Sequence, residues 1–234
     1  FFSFFISKFI LKNNYKNSSI FSLNTAYPNY GYMGIPLSII AFGENAAIPI
    51  SIILLSDSLI LFTFTAFTAD YSIKKNFLDK FVFIIKRILK NPILMSVFIG
   101  FIFVFFKVQI NSIINEILTI LAYAAPPTAL FALGITLWNK LDIKILNSIV
   151  FIVIIRLIIH PLLIYIVFLI IPSNVPLLWI KVAILCSCLP VASNVFAMSV
   201  YYNSYIKETS NSVMISSILS TISVPIVLFL LLRY

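Results

Sequence analysis

The sequence predicts an all-α integral membrane protein built from two repeats of opposite topology. Three observations carry that prediction. Of the 234 residues, 62% are hydrophobic and 10% are charged, and the mean hydropathy is +1.11. A soluble domain of this size has no way to hide so much apolar surface. The apolar runs are also long and continuous, which favours helical spans over the short alternating strands of an outer-membrane barrel. Finally, two spans are interrupted in their middles, by N-T-A-Y-P-N-Y-G-Y-M-G-I-P-L from Asn24 to Leu37 and by L-P-V-A-S-N-V-F-A-M-S from Leu189 to Ser199. Unwound backbone at membrane depth survives only where it is buried in protein or lines a polar cavity. Two such breaks in corresponding places of two halves point to a transporter binding site.

The elements follow in chain order. Residues 1–11 read as the end of a span, closed by the polar stretch K-N-N-Y-K-N-S-S. The chain opens at Phe1 inside this apolar run, without the charged start and small-residue cleavage site of a signal peptide, so the amino terminus of the protein is expected upstream. A span from about residue 20 to residue 42 contains the first break, and the turn Gly43-Glu44-Asn45 leads to a span over about 46–69. One long polar connection covers 70–91, and further spans are expected at about 92–106, 112–138, 147–171, 175–201 and 212–232. The connection divides the chain into the remainder of a first repeat, 1–69, and a second repeat of five spans, 92–234. If the halves match, the broken span is fourth of five in each. An odd number of spans per repeat gives the two repeats opposite topology.

Charge sets the orientation. With 70–91 cytoplasmic, that connection contributes Lys74, Lys75, Lys80, Lys86, Arg87 and Lys90 to the inner side, and alternation adds Lys8, Lys12, Lys16, Lys140, Lys144 and Lys207. The opposite ends keep Lys107, Lys181 and Arg233, so the balance is twelve against three. The positive-inside rule therefore predicts a multi-pass protein of the cell inner (plasma) membrane with its carboxy terminus outside the cytoplasm. Residues 77–90, mixed apolar and basic, read equally as an interfacial helix or as a plain basic linker.

Composition also excludes functions. The net charge of +9 reflects loops facing anionic lipid rather than nucleic acid, because there is no aromatic-plus-basic groove and no glycine-rich phosphate loop. Cys186 and Cys188 lie within one apolar span and read as small packing residues. The single histidine, His160, belongs to no Ser–His–acid set and to no metal-ligand spacing, so neither an enzyme nor a metal or other cofactor is expected.

Five stretches, in order and at matching spacing, resemble the auxin efflux carrier family, in particular its bacterial members. They are P-N-Y-G-Y-M-G-I-P-L followed by F-G-E, K-N-P-I-L-M-S-V-F-I-G at 90–100, A-A-P-P-T-A-L-F-A-L-G at 124–134, R-L-I-I-H-P-L-L at 156–163, and the second break. The resemblance implies ten spans in two inverted five-helix repeats, with the two broken helices crossing near the membrane centre. This chain would then hold seven complete spans and a remnant of an eighth. The resemblance further implies transport of small organic anions: auxin in plants, and dicarboxylates such as malate or malonate among bacterial relatives.

Anion transport needs contacts that are favourable yet weak. A helix restarting at mid-membrane supplies free N–H groups and a partial positive charge. Pro28, Pro36 and Pro190 are placed for the first turns of such restarts. Asn29 and Asn194, which match the Asn of each crossing helix in the family, are expected to contact substrate, with Ser193 alongside; an amide donates to a carboxylate without adding charge. Satisfying backbone groups freed by the break is the alternative role for each. Gly31 and Gly34 are expected to allow close helix approach. Among ionisable residues, Asp57 is a candidate for carrying a coupling proton or cation, or a partner for Arg156. Arg156 is a candidate substrate contact, and His160, four residues on and on the same helix face, a weaker candidate for substrate or coupling. Pro126, Pro127 and Thr128 are expected to break or kink the span at 112–138, and Tyr201 and Tyr202 read as interfacial anchors.

The leading expectation is thus a secondary transporter with a small organic anion and the lipid bilayer as partners, proton or sodium as coupling ion, and a homodimer as one available assembly. A sodium-coupled symporter of the bile-acid type, and a non-transporting sensor or assembly protein of the same fold, are the alternatives.

Overall fold

The structure is a computed structural model and describes residues 1–69, 92–137, 143–170 and 175–233. The basic connection at 70–91, with the interfacial segment read at 77–90, lies outside the described residues. Within them the regular structure is helical. A short α1 (Phe2–Phe5) runs into a π-helical turn, Ile6–Ile10, and α2 (Tyr15–Ala26) ends at the first break. The chain restarts as a π-turn, Tyr30–Gly34, continued by α3 (Ile35–Phe42). There follow α4 (Ala47–Ala69), α5 (Pro92–Phe105), α6 (Ser112–Leu137) and α7 (Ile143–Ile154). A third π-turn, Ile155–Ile159, joins α7 to α8 (His160–Ile170). The second broken span is α9 (Leu177–Ser187) and α10 (Ser193–Tyr201), and α11 (Ile206–Arg233) closes the chain.

Local chemistry accounts for the ends. Asn14 caps α2, its side chain accepting from the Asn17 N–H at 2.7 Å, so the helix begins five residues before the apolar run expected from residue 20. Gly43, at φ +84°, takes the left-handed conformation that stops α3 and turns the chain into α4. Glu44–Ala69, Ile145–Ile170 and Ile206–Arg233 are each long and apolar enough to cross a membrane. Large apolar side chains such as Phe131, Leu169 and Phe229 point outward, as they do in a protein solvated by lipid. The chain is a membrane-embedded all-α protein.

Lipid offers little hydrophobic reason for helices to associate, so packing and interhelical hydrogen bonds hold them together. Helix α2 lies at the centre with a face of buried Ser and Thr residues. Ser19 Oγ donates to Thr68 Oγ1 of α4 at 2.7 Å, and Asn24 Nδ2 donates to Thr209 Oγ1 of α11 at 2.9 Å. Other hydroxyls, such as Ser22 and Thr25, donate back to carbonyls of their own helix. The core collects Phe21, Phe62, Ile152, Leu185, Leu189 and Met198 around these contacts.

One alternative and one expectation fail here. Of the break or kink expected at Pro126, Pro127 and Thr128, the break is absent, because helix α6 continues through all three. Thr128 Oγ1 donates to the Ala124 carbonyl at 2.8 Å, one of the local adjustments by which membrane helices tolerate proline. Tyr202 is no interfacial anchor: it is buried at 3% exposure in the core, while Tyr201 beside it is partly exposed.

Candidate functional site

The two breaks meet backbone to backbone. Pro28 and Val191 form an isolated antiparallel bridge. The Asn29 N–H donates to the Pro190 carbonyl at 2.9 Å, and the Ala192 N–H donates to the Tyr27 carbonyl at 3.3 Å. Polar groups that neither half-helix can satisfy alone are therefore satisfied by the other break, which is what unwound backbone at membrane depth requires. The crossing of the two broken helices is a direct feature of the structure.

Crossing sorts the four half-helix ends into two kinds. The N-terminal ends, at Asn29–Tyr30 and Ala192–Asn194, border one cavity of about 530 Å³. Its lining includes Tyr27, Asn29, Tyr30, Ser58, Asn194 and, from α5, Ser96. Asn29 caps the restart: its Oδ1 accepts from the Tyr32 N–H at 3.4 Å, and its carbonyl accepts from the N–H groups of Met33 and Gly34. Asn194 lies in the first turn of α10 with its residue surface exposed at the cavity. Two amides and two partly positive helix ends thus share one space. On the wall beside them, the Tyr27 hydroxyl meets Ser58 Oγ at 2.9 Å, and the Tyr30 hydroxyl donates to Asp57 Oδ2.

The C-terminal ends converge elsewhere, on Arg156. This side chain is fully buried. Its Nε donates to the Leu189 carbonyl at 2.9 Å, and Nη2 donates to Ser187 at 2.8 Å and Cys186 at 3.3 Å. Nη1 reaches the carbonyls of Ala26 at 3.2 Å and Thr25 at 3.3 Å, and lies 3.0 Å from His160 Nδ1. The π-turn at Ile155–Ile159 carries Arg156, and α8 begins with His160.

The structure therefore brings some of the expected residues together and separates others. Pro28, Asn29, Gly31 and Asn194 line the cavity. Among the described residues, Ser193, Arg156, His160 and Asp57 do not, although Asp57 touches it through Tyr30. Asp57 takes its hydrogen bond from Tyr30, and Arg156 donates to backbone carbonyls and meets His160, so the two do not form the pair that their charges invited. Two of the prolines differ from expectation. Pro28 and Pro190 sit within the breaks themselves, whereas Pro36 stands in the first turn of α3, after a full π-turn. Of the two glycines, only Gly34 is a close approach: a Cβ there would stand 3.0 Å from Ile50 Cδ1 and from Leu189 Cδ1, whereas one on Gly31 would meet nothing within 4 Å. Tyr27, Tyr30 and Ser58 went unpredicted as wall residues. The tyrosines stand inside the first break motif, and their spacing of three on a restart was the available signal.

Comparison with known proteins agrees with this architecture. Residues 1–228 match the family model described as membrane transport protein. The chain is 30% identical over 230 residues to a Rhizobium meliloti (strain 1021) protein named as a candidate malonate transporter, an alignment covering 97% of this chain and 72% of that relative. With its two broken spans crossing as the resemblance implied, the chain belongs to the membrane transport protein family, the auxin efflux carrier family of its sequence resemblance.

Proposed function

We propose that the protein is a secondary carrier of small organic anions, of malonate or malate size, and that the anion sits in the cavity at the crossing. The observation that carries this reading is the convergence of Asn29, Asn194 and two half-helix N-termini on one cavity. Those groups supply N–H donors and partial positive charge, so a carboxylate is bound without a fixed cation and can be released again. The volume of about 530 Å³ accommodates a small dicarboxylate with water. The name of the Rhizobium meliloti relative favours a dicarboxylate of that size.

In this mechanism the crossing stays at mid-membrane and access alternates by rocking one group of helices against the other. Residues 1–69 and 92–234 belong to the two inverted repeats, joined by a cytoplasmic 70–91 connection in the inner membrane. In this reading Asp57 carries a coupling proton; its hydrogen bond from the Tyr30 hydroxyl, whose residue lines the cavity, supports that role.

Uptake of labelled malonate and malate into proteoliposomes tests the assignment, comparing the native protein with Asn29→Ala and Asn194→Ala. Both substitutions are expected to abolish uptake while the purified proteins remain folded. Normal uptake by both would overturn the site assignment. Absence of uptake by the native protein, under proton or sodium gradients of either direction, would overturn the carrier reading.

A further inference from the structure

A charged side chain without solvent exposure in the middle of a membrane protein demands a physical explanation, and Arg156 is the largest fully buried side chain of the described residues. Its surroundings supply one. The breaks leave carbonyl groups at the ends of α2 and α9, and at Leu189 just beyond, without the N–H four residues on that a continuous helix would supply; the Cys186 carbonyl also takes a 3.3 Å hydrogen bond from the Leu189 N–H. Those carbonyls, from Thr25 and Ala26 on one side and Cys186, Ser187 and Leu189 on the other, surround a single point, and the guanidinium occupies it. Each helix C-terminus carries the equivalent of about −0.5 charge, so two of them together offset about one positive charge. The ring nitrogen Nδ1 of His160, 3.0 Å from Nη1, completes the shell. The five N–H groups of an arginine are all engaged.

Opposed half-helix C-termini and unwound carbonyls are the arrangement that coordinates sodium in broken-helix carriers. We propose that Arg156 is the built-in cation of this carbonyl cage, so that the protein takes no sodium ion at the crossing and its stability and anion transport do not depend on sodium. The proposal rests on the carrier reading only for its consequence in transport; the cage itself is independent of substrate. Arg156 is a positioning residue. It holds the negative ends of the broken helices together, while the positive ends are left for the anion.

The test uses thermal unfolding of the purified intact protein, followed by intrinsic fluorescence in sodium chloride, in choline chloride and in choline chloride with millimolar guanidinium, all at equal ionic strength. The native protein is expected to melt at the same temperature in all three. Arg156→Ala is expected to melt about 10 °C lower in choline, and to regain at least half of that loss in sodium or in guanidinium, either of which can enter the vacated cage. Arg156→Lys guards against a variant that does not fold. It keeps a cation in the cage but reaches fewer carbonyls, so it is expected to melt below the native protein and to ignore sodium. Sodium-specific stabilisation of the native protein or of Arg156→Lys would overturn the proposal, as would an Arg156→Ala protein indifferent to both cations. Because no carboxylate substrate enters the measurement, and chloride is common to every arm, a failure of malonate uptake with these melting results intact would count against the carrier reading alone.

Discussion

Replacing Asn29 by Asp separates two roles that alanine removes together. Asn29 caps the restart through its Oδ1 and lines the cavity. Asn29→Asp keeps an acceptor for the Tyr32 N–H. Asp and Asn are equally good at this position, and a carboxylate at a helix N-terminus gains about 0.3–1 kcal/mol from the dipole. The melting temperature is therefore expected to move by no more than about 4 °C. Transport is a different matter. A carboxylate on residue 29 and a bound anion about 5 Å away repel by about 3 kcal/mol at an effective dielectric constant of about 20. That corresponds to a loss of about two orders of magnitude in apparent affinity. Labelled malonate uptake at subsaturating concentration, run beside a thermal melt of the same preparation, reads both quantities. Uptake within about threefold of native would show that the anion does not reside beside Asn29. A fall in stability large enough to explain the lost uptake would refute the claim that cap and anion site are separable.

Three further substitutions bear on the wall and the packing. Gly34→Ala pushes a Cβ to 3.0 Å from both Ile50 Cδ1 and Leu189 Cδ1, whose ends can shift, and is expected to destabilise by about 1 kcal/mol. Gly31→Ala meets nothing within 4 Å and is expected to be neutral or stabilising, so the reverse order of melting temperatures would contradict the packing described. Asp57→Asn retains an acceptor for the Tyr30 hydroxyl but has no proton to exchange. It is expected to keep exchange of labelled for unlabelled malonate at symmetrical pH and to lose the response of uptake to an imposed pH gradient. An undiminished response would remove Asp57 from coupling.

Much of this architecture was legible in the residues because the membrane is a strict solvent. Proline, asparagine and glycine in the middle of an apolar span have few physical explanations, and both motifs that carried them proved to be the crossing. Asn29 and Asn194 were legible for the same reason. Arg156 was visible as an anomaly but not in its role, because the five carbonyls around it come from chain segments up to 131 residues away and leave no pattern in side-chain identity. The same holds for the pairing of Tyr30 with Asp57, which joins two helices. At Pro126 and Pro127 the break, one of two alternatives read there, is absent because a membrane helix supplies substitutes for a missing N–H. Tyr202 misled because its place at the end of an apolar run gave no sign of the core behind it.

The bridge between Pro28 and Val191 bears on how such a chain can vary over evolutionary time. It is made by carbonyl groups, which every residue type offers, and by N–H groups, which every type other than proline offers, so many side chains can change at the crossing without loosening it. Length is another matter. A single residue inserted into either break would move the Asn29 N–H away from the Pro190 carbonyl, or the Ala192 N–H away from Tyr27, and the opposite break would have to change in step. The spacing of each break is thereby tied to the other, across about 160 residues of intervening chain, more tightly than is the identity of the residues within it.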